Sequence, residues 1–311
     1  MKSGHRKLLY VFIFFTVIVL LAVLGRKVVF NSPINPISKT KNISQRYEKL
    51  SLKDSSTYIV FLNGLGTRCN GTRYTNMGFE HIRKRLTSYG FHYNDNRFLL
   101  YSYTGGEIRA GNWFPNKYGP EDTGQPIEIS VKHLNDLIDD FSAVHPDARF
   151  ILVGHSLGGY VAYDFVSRYY TENSNRIEGV VTLNAPLIGS VYNVPDFILD
   201  ALGQTGSIWG STAVKRIVSE NEFREEIKEF RKEVANRLQK KGIHIATFAT
   251  EQDLIVNPCS AYLIDTNDKP VTEGDIISVS RLGKLPDSLF GHRQVLKVDL
   301  IADYIISILE T

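Results

Sequence analysis

Cysteine is scarce in this chain, and neither sign of charge is in strong excess. The 311 residues include two cysteines and eight histidines, and these side chains do not have the spacing of a metal site. The 36 Lys and Arg residues against 33 Asp and Glu residues give a formal net charge of +3, with the basic residues spread along the sequence. Such a balance gives no reason to propose nucleic acid as a partner. We therefore predict no metal, no other cofactor and no nucleic-acid function.

Long apolar runs are equally rare, and the exception lies at the amino end. Residues 8–24 contain only Tyr10 and Thr16 as polar members. As a helix they would be about 26 Å long, close to the roughly 30 Å hydrocarbon core of a bilayer. We interpret residues 8–25 as an uncleaved transmembrane signal anchor, with a cleaved signal peptide as the alternative.

The segment after this run has a different composition. Residues 26–54 hold scattered Pro, Ser, Asn and Lys without a clear period, and we interpret them as a linker. The folded domain at residues 55–311 is then expected outside the cytoplasm. It is held at the membrane by the anchor or, if the segment is cleaved, secreted.

A serine stands at the junction of a strand-like segment and a helix-like segment. The short apolar run at residues 150–153 has the length of a strand buried on both faces. It ends in Gly-His-Ser-Leu-Gly at residues 154–158, where a sharp turn would strain Ser156 and leave no room for side chains at the two glycines. Apolar residues at helical spacing follow, namely Val161, Phe165, Val166 and Tyr169. The pattern predicts a serine hydroxyl exposed at the edge of a sheet.

This segment resembles the nucleophile elbow of the α/β-hydrolases, in the form found in lipases and esterases. The resemblance covers about residues 55–311 and implies an α/β-hydrolase fold, with a mostly parallel, doubly wound sheet and a helical lid insertion. Ser156 would be the nucleophile. Alternating strand-like and helix-like segments around the serine agree with such a sheet.

A glycine-rich loop follows an earlier apolar run at residues 58–62. It reads Asn-Gly-Leu-Gly at residues 63–66, where lipase-like hydrolases commonly have His-Gly-x-Gly. By this resemblance the backbone amides of Leu65 and Leu157 would form the oxyanion hole. Asn63 departs from the usual histidine, which leaves the orientation of the Leu65 amide open, and the alternative is a simple turn at a strand end.

The order of catalytic groups in such folds is serine, then an acid, then histidine, which restricts the candidates. Outside the elbow only His244 and His292 follow Ser156. His244 lies within an apolar strand and is expected to be structural, so we predict His292 as the base. Asp253, just beyond that strand, is the predicted acid, with three rivals: Glu251, Asp265 and Asp287.

Residues 190–241 read as an insertion between two strands. The first half is apolar among glycines, and the second half is a charged helix with one apolar face formed by Phe223, Ile227, Phe230, Val234 and Leu238. We interpret it as a lid suited to an acyl chain, the alternative being a plain packing helix.

Two further features stay open at this point. The long loop at residues 104–125 contains Trp113, Phe114 and Tyr118, which either line a pocket or only anchor the loop. Cys69 and Cys259 each follow a predicted strand and form either a disulfide or two buried thiols.

These observations together predict a lipase- or esterase-like serine hydrolase that cleaves acyl esters through an acyl-enzyme. Its expected partners are an acyl-ester or lipid substrate and, through the amino-terminal helix, a membrane. An acyltransferase or thioesterase with the same three residues is the alternative, and a non-catalytic binding protein is a third. The sequence does not predict an oligomeric state.

Overall fold

A computed structural model describes residues 56–75, 78–169, 176–189, 196–253, 255–265, 269–278 and 291–310. The predicted anchor at residues 8–25 and the linker at residues 26–54 lie outside these ranges. Within the described ranges, none of the helices combines the length and the apolar character needed to cross a membrane.

Most of the described strands form one parallel sheet. The strands are β1 (Thr57–Leu62), β2 (Phe98–Leu100), β3 (Gly106–Arg109), β4 (Asn112–Pro115), β5 (Arg149–His155), β6 (Ile177–Leu183), β7 (His244–Thr250) and β8 (Glu273–Ile277). Six of them pair in the order β2-β1-β5-β6-β7-β8, and every neighbouring pair is parallel. The short apolar runs become central strands because both of their faces are buried, as in β1, β5 and β6.

The strand order places a topological switch point at the middle of the sheet. The chain passes from β1 outward to β2 and then returns to β5 on the other side of β1. Loops that leave the carboxyl ends of β1 and β5 therefore diverge and open a crevice, the usual ligand position in open α/β sheets. Both the Asn-Gly-Leu-Gly loop and Ser156 follow these two strand ends.

Eight α-helices are described. They are α1 (Glu80–Leu86), α2 (Ile127–Val144), α3 (Leu157–Arg168), α4 (Asp196–Gln204), α5 (Thr212–Ser219), α6 (Arg224–Gln239), α7 (Pro258–Ala261) and α8 (Asp299–Leu309). Helix α2 packs against α3, and α1 packs against α8. The apolar stripe of α2 is buried as its helical spacing predicts, through Val131, Leu134, Ile138 and Phe141.

The loop at residues 104–125 contains a hairpin that the sequence analysis did not predict. Strands β3 and β4 pair antiparallel across Ala110 and Gly111, whose φ angles are 47° and 73°. Trp113 is buried, and its indole N–H donates to the Leu100 carbonyl at 2.9 Å. Tyr118 is also buried, with its backbone paired to Cys69. These aromatic side chains anchor the loop.

Three helices, α4, α5 and α6, follow β6 and precede β7, within the segment predicted as a lid. We call residues 196–239 the cap. The apolar face expected for its last helix is partly wrong, because Phe223 and Phe230 are 58% and 47% exposed. Val234 and Leu238 are buried as expected, and the buried face also contains Ala235 and the cation Arg231.

Arg231 lies on the buried face of α6 because polar and aromatic groups near the elbow contact its side chain. Its Nε donates to the Leu187 carbonyl at 3.1 Å, and its guanidinium lies 4.7 Å from the centre of the Tyr160 ring. Asp164 of α3 lies 3.7 Å from Arg231 Nη1. A guanidinium with such partners is tolerated where an unpaired cation would be costly. The two cysteines, Cys69 and Cys259, are not joined by a disulfide.

Candidate active site

Ser156 occupies the turn between β5 and α3. Its φ of 55° and ψ of −126° lie outside the regions that non-glycine residues normally adopt. The backbone N–H of Ser156 donates to the Leu183 carbonyl at 2.9 Å, which ties the turn to the end of β6. The side chain is 9% exposed and lines a cavity. This is the geometry expected for a serine held at the sheet edge.

The glycines around the serine are required by close backbone contacts. A Cβ atom at Gly154 would lie 2.5 Å from the Gly158 carbonyl oxygen, and one at Gly158 would lie 2.4 Å from the Leu62 carbonyl oxygen. Both distances are too short for any side chain. The tight turn that presents Ser156 to the cavity therefore depends on glycine at both positions.

Asp253 and His292 are brought together from segments 39 residues apart in the chain. His292 Nδ1 lies 2.6 Å from Asp253 Oδ2, and both residues are buried, at 6% and 7% exposure. The other carboxylate oxygen, Oδ1, accepts from the backbone N–H groups of Ile255 and Val256 at 2.7 and 2.9 Å. A carboxylate held in this way fixes the imidazole with its proton on Nδ1, which leaves Nε2 as an acceptor.

The backbone carbonyl of His292 is held by two further side chains. His155 Nε2 lies 2.8 Å from it, and Asn184 Nδ2 donates to it at 2.9 Å. Asn184 Oδ1 in turn accepts from the Thr250 backbone N–H at 2.8 Å. Complete burial, helped by the charge of His292, lowers the pKa of His155 to about 3. A neutral His155 donates through Nε2 to this carbonyl and adds no charge beside His292.

The roles of His155 and Asn184 were not anticipated from the sequence. No motif in the sequence assigns a role to Asn184, which follows the end of β6. Its φ of 47° is unusual for a residue other than glycine, and asparagine tolerates this region better than most residues. An Asn directly after a buried strand, on the edge that carries the serine, is the signal that could have identified it.

The loop after β1 packs directly against the serine. A Cβ atom at Gly64 would lie 2.7 Å from Ser156 Cβ and 3.2 Å from its Oγ. Asn63, at the position of the usual histidine, accepts the Gly64 N–H through its side chain at 2.9 Å and the Tyr103 hydroxyl through its carbonyl at 2.8 Å. The backbone N–H of Gly66 donates to Thr123 at 2.9 Å. These contacts hold the loop beside Ser156, and both Leu65 and Leu157 line the cavity.

The cavity has a volume of about 1280 Å³ and holds Ser156 and His292 on its wall. Helix α5 and the turn before it supply much of the apolar lining, through Trp209, Ala213, Val214, Ile217 and Val218. Pockets for drug-sized ligands commonly have about 300–1,000 Å³. This cavity is large enough for a substrate longer than a simple short-chain ester.

Two of the rival acids, Glu251 and Asp265, are among the described residues. Glu251 is exposed, and Asp265 Oδ1 accepts from the Lys269 backbone N–H at 2.8 Å. Asp287 lies outside the described residues. His244 is the first residue of β7, half-buried and 3.7 Å from Glu273, as expected for a structural histidine.

A parallel sheet with a serine on a strained strand-to-helix turn at the switch point defines the class of α/β hydrolases. A family model described as "Alpha/beta hydrolase family" matches residues 59–296 of this chain. The chain therefore belongs to the α/β-hydrolase family.

Three solved structures illustrate the similarity. A lipase-esterase related protein from Clostridium acetobutylicum is 12% identical with a TM-score of 0.43, over 82% of this chain and 96% of that one. Phospholipase PlaB from Legionella pneumophila is 10% identical with a TM-score of 0.46, over 82% and 61%. Aspergillus fumigatus lipase B is 15% identical with a TM-score of 0.44, over 79% and 50%.

The chain thus spans about half to three fifths of the length of the last two proteins. No curated protein matches the chain.

Proposed function

We propose that this chain is a serine hydrolase that cleaves carboxylic acyl esters. Ser156 acts as the nucleophile, His292 as the base and then the acid, and Asp253 orients and stabilises the imidazole. The observation that carries the proposal is the buried contact of 2.6 Å between His292 Nδ1 and Asp253 Oδ2, on the cavity that Ser156 also lines. A serine hydroxyl is a weak nucleophile without such a base.

The proposed reaction uses these groups in two steps, acylation and deacylation of the serine. His292 Nε2 takes the proton of Ser156 as Oγ attacks the acyl carbon, and the resulting oxyanion accepts from the Leu65 and Leu157 backbone amides. His292 then returns the proton to the departing alcohol, which leaves an acyl-enzyme. Water, deprotonated by His292, attacks this ester and releases the carboxylic acid and the serine.

The apolar wall that the cap forms along the cavity favours a substrate with an acyl chain. Transfer of an alkyl chain from water to the apolar side chains of α5 is favourable by about 0.8 kcal/mol for each buried methylene. The cap therefore serves as the lid of the proposed site, and chain length is expected to affect kcat/KM.

Ester turnover in two variants tests the proposal. The purified full chain is assayed with p-nitrophenyl esters of increasing chain length, next to Ser156→Ala and His292→Ala. We expect the wild type to show a burst of p-nitrophenol from acyl-enzyme formation, and both variants to lose about 10³-fold or more in kcat. A folded wild type that turns over no ester contradicts the proposal.

We also propose that residues 8–25 anchor the domain to a membrane. The support is the apolar run itself, whose length approaches that of a bilayer core. An anchored hydrolase would meet lipid substrates at the surface in which they reside.

A further inference from the structure

The cavity beside Ser156 has two chemically different walls. One is the apolar wall of the cap, formed by side chains such as Trp209, Val214 and Val218. The other comes from the loop after β1, from α1 and from the segment that carries His292. We call it the basic wall, and its cations are Arg68, Lys84, Arg293 and Lys297.

The basic wall has a clear surplus of positive charge. Among the described residues, four cationic side chains line the cavity, against Glu80 as the single carboxylate. His81 also lies there, but it is paired with Asp299 at 2.8 Å. In the described part of the chain, Arg68, Lys84 and Arg293 form no ion pair with a carboxylate.

The three cations that form no ion pair in the described residues, Arg68, Lys84 and Arg293, lie on one wall of the cavity. Like charges repel each other, and some exposed cations elsewhere in the described residues pair with a nearby carboxylate, as Lys132 does with Asp136 at 2.7 Å. A concave wall of one sign concentrates its potential in the cavity and attracts a ligand of opposite charge. The side chains of this wall are exposed, so they are accessible to such a ligand.

We propose that the part of the substrate that leaves as alcohol or thiol carries a phosphate group, which the basic wall binds while the acyl chain lies on the cap. This inference rests on the proposed ester hydrolysis and specifies its substrate class. A phosphate monoester carries up to two negative charges and three acceptor oxygens. It therefore matches the surplus positive charge of the basic wall better than a carboxylate, which carries one negative charge. Arg and Lys both bind phosphate in proteins, Arg through two parallel N–H donors.

The chemistry of the reaction leaves the phosphate intact. The bond between the acyl carbon and the oxygen or sulfur of the leaving group breaks, and water supplies an oxygen to the acyl carbon. The proton from that water ends on the leaving group, which departs with its phosphate. A glycerophosphate ester and a thioester of a phosphorylated thiol share this chemistry.

Matched substrates test the inference. The full chain in neutral detergent is assayed with 1-palmitoylglycerol, 1-palmitoylglycerol 3-phosphate and palmitoyl-coenzyme A, which have the same acyl chain. We expect kcat/KM for at least one phosphorylated substrate to exceed that for 1-palmitoylglycerol by about tenfold or more, and salt to reduce this ratio. The better phosphorylated substrate identifies the source of the phosphate. Equal kcat/KM values for all three substrates overturn the inference and leave ester hydrolysis standing.

A charge-matched pair of variants ties the preference to the basic wall. Lys84→Gln with Arg293→Gln should lower the ratio of phosphorylated to neutral kcat/KM by about tenfold. Arg237→Gln with Lys240→Gln removes the same charge from the exposed end of the cap and should leave the ratio unchanged. An equal decrease in both double variants would show that net charge alone is responsible, which overturns the assignment.

Binding separates this inference from the proposed reaction. Trp209 lies on the cavity wall and is 39% exposed, whereas Trp113 is buried, so ligand entry should change the fluorescence of Trp209. Decyl phosphate should bind about tenfold more tightly than the neutral 1-decylglycerol ether, and the Lys84 and Arg293 variant should lose this difference. This result would stand even if Ser156 cleaved no ester. Equal affinities for the two ligands contradict the inference whatever the ester assays show.

Discussion

At the scale of single residues, the candidate site depends on a few buried polar contacts. Asp253 holds the His292 imidazole with one carboxylate oxygen and caps two backbone amides with the other. The serine, acid and histidine could all be named from the sequence because chain order in this fold restricts them. His155 and Asn184 were not predicted, because they hold a backbone carbonyl and side-chain type alone does not reveal that role. Only the position of Asn184 directly after a buried strand gives a signal for it.

Replacement of Asp253 by Asn is the sharpest test of its role. An Asn amide would donate to His292 Nδ1, so the ring proton would move to Nε2 and the base would be lost. We expect kcat for p-nitrophenyl butyrate to decrease by about 10³–10⁴-fold, with little change in thermal stability. Glu251→Gln, which removes an exposed acid from the same loop, is the control and should keep full activity. An Asp253→Asn enzyme with more than about a tenth of wild-type kcat contradicts the assignment.

His155 gives the stability of the domain a defined dependence on pH. Its pKa is about 3 in the native state and about 6.5 when unfolded. Below about pH 6.5 the unfolded chain binds a proton that the native chain does not, so the free energy of unfolding decreases as pH falls towards about 3. The contribution of this residue is at most about 1.4 kcal/mol per pH unit.

His155→Gln keeps a donor for the His292 carbonyl but does not titrate. Urea midpoints measured between about pH 7 and pH 4 should therefore decrease less for the variant than for the wild type. Parallel decreases in the two proteins would show that His155 is not the buried, neutral group described above.

At the scale of elements, apolar periodicity predicted the central strands and the helices beside them. The β3–β4 hairpin was missed because its strands have four residues each, and its turn, Ala110-Gly111, lacks the usual Asn or Asp. The predicted apolar face of α6 was partly wrong because an apolar pattern does not predict the burial of Arg231. The partners of this side chain come from distant parts of the chain.

Helix α5 should determine the preference for chain length. Val214→Asn with Val218→Asn makes the apolar wall polar, which removes about as much apolar contact as two methylenes provide. We expect the ratio of kcat/KM for p-nitrophenyl decanoate to that for the acetate to decrease by about tenfold. Phe230→Asn, at an exposed position of the cap that does not line the cavity, is the matched control. A ratio unchanged by the double variant would mean that the acyl chain lies elsewhere.

At the scale of the whole molecule, alternating strand and helix signals predicted a parallel doubly wound sheet. The strand order, and with it the switch point between β1 and β5, could not be derived from local patterns because it depends on how the helices pack. The basic wall was missed for the same reason. Its four cations come from three separate segments, and the small net charge of the chain conceals them.

The membrane anchor is a prediction for the complete chain. After expression, the full chain should stay in the membrane pellet through alkaline carbonate washing, because a helix of this length is not removed by salt or pH. A variant without residues 2–27 should move to the soluble fraction. Recovery of the complete, uncleaved chain in the soluble fraction contradicts the anchor, and a shortened soluble product indicates cleavage.

Covalent labelling by a fluorophosphonate determines whether Ser156 is an activated nucleophile. The reagent phosphonylates a serine only when a neighbouring base activates it, so intact-mass and peptide analysis of the labelled chain report nucleophile and base together. We predict one adduct per chain, located on Ser156, absent in Ser156→Ala and formed at least about 10³-fold more slowly in His292→Ala. A folded wild-type protein that takes up no label, or takes it up at another residue, contradicts the account.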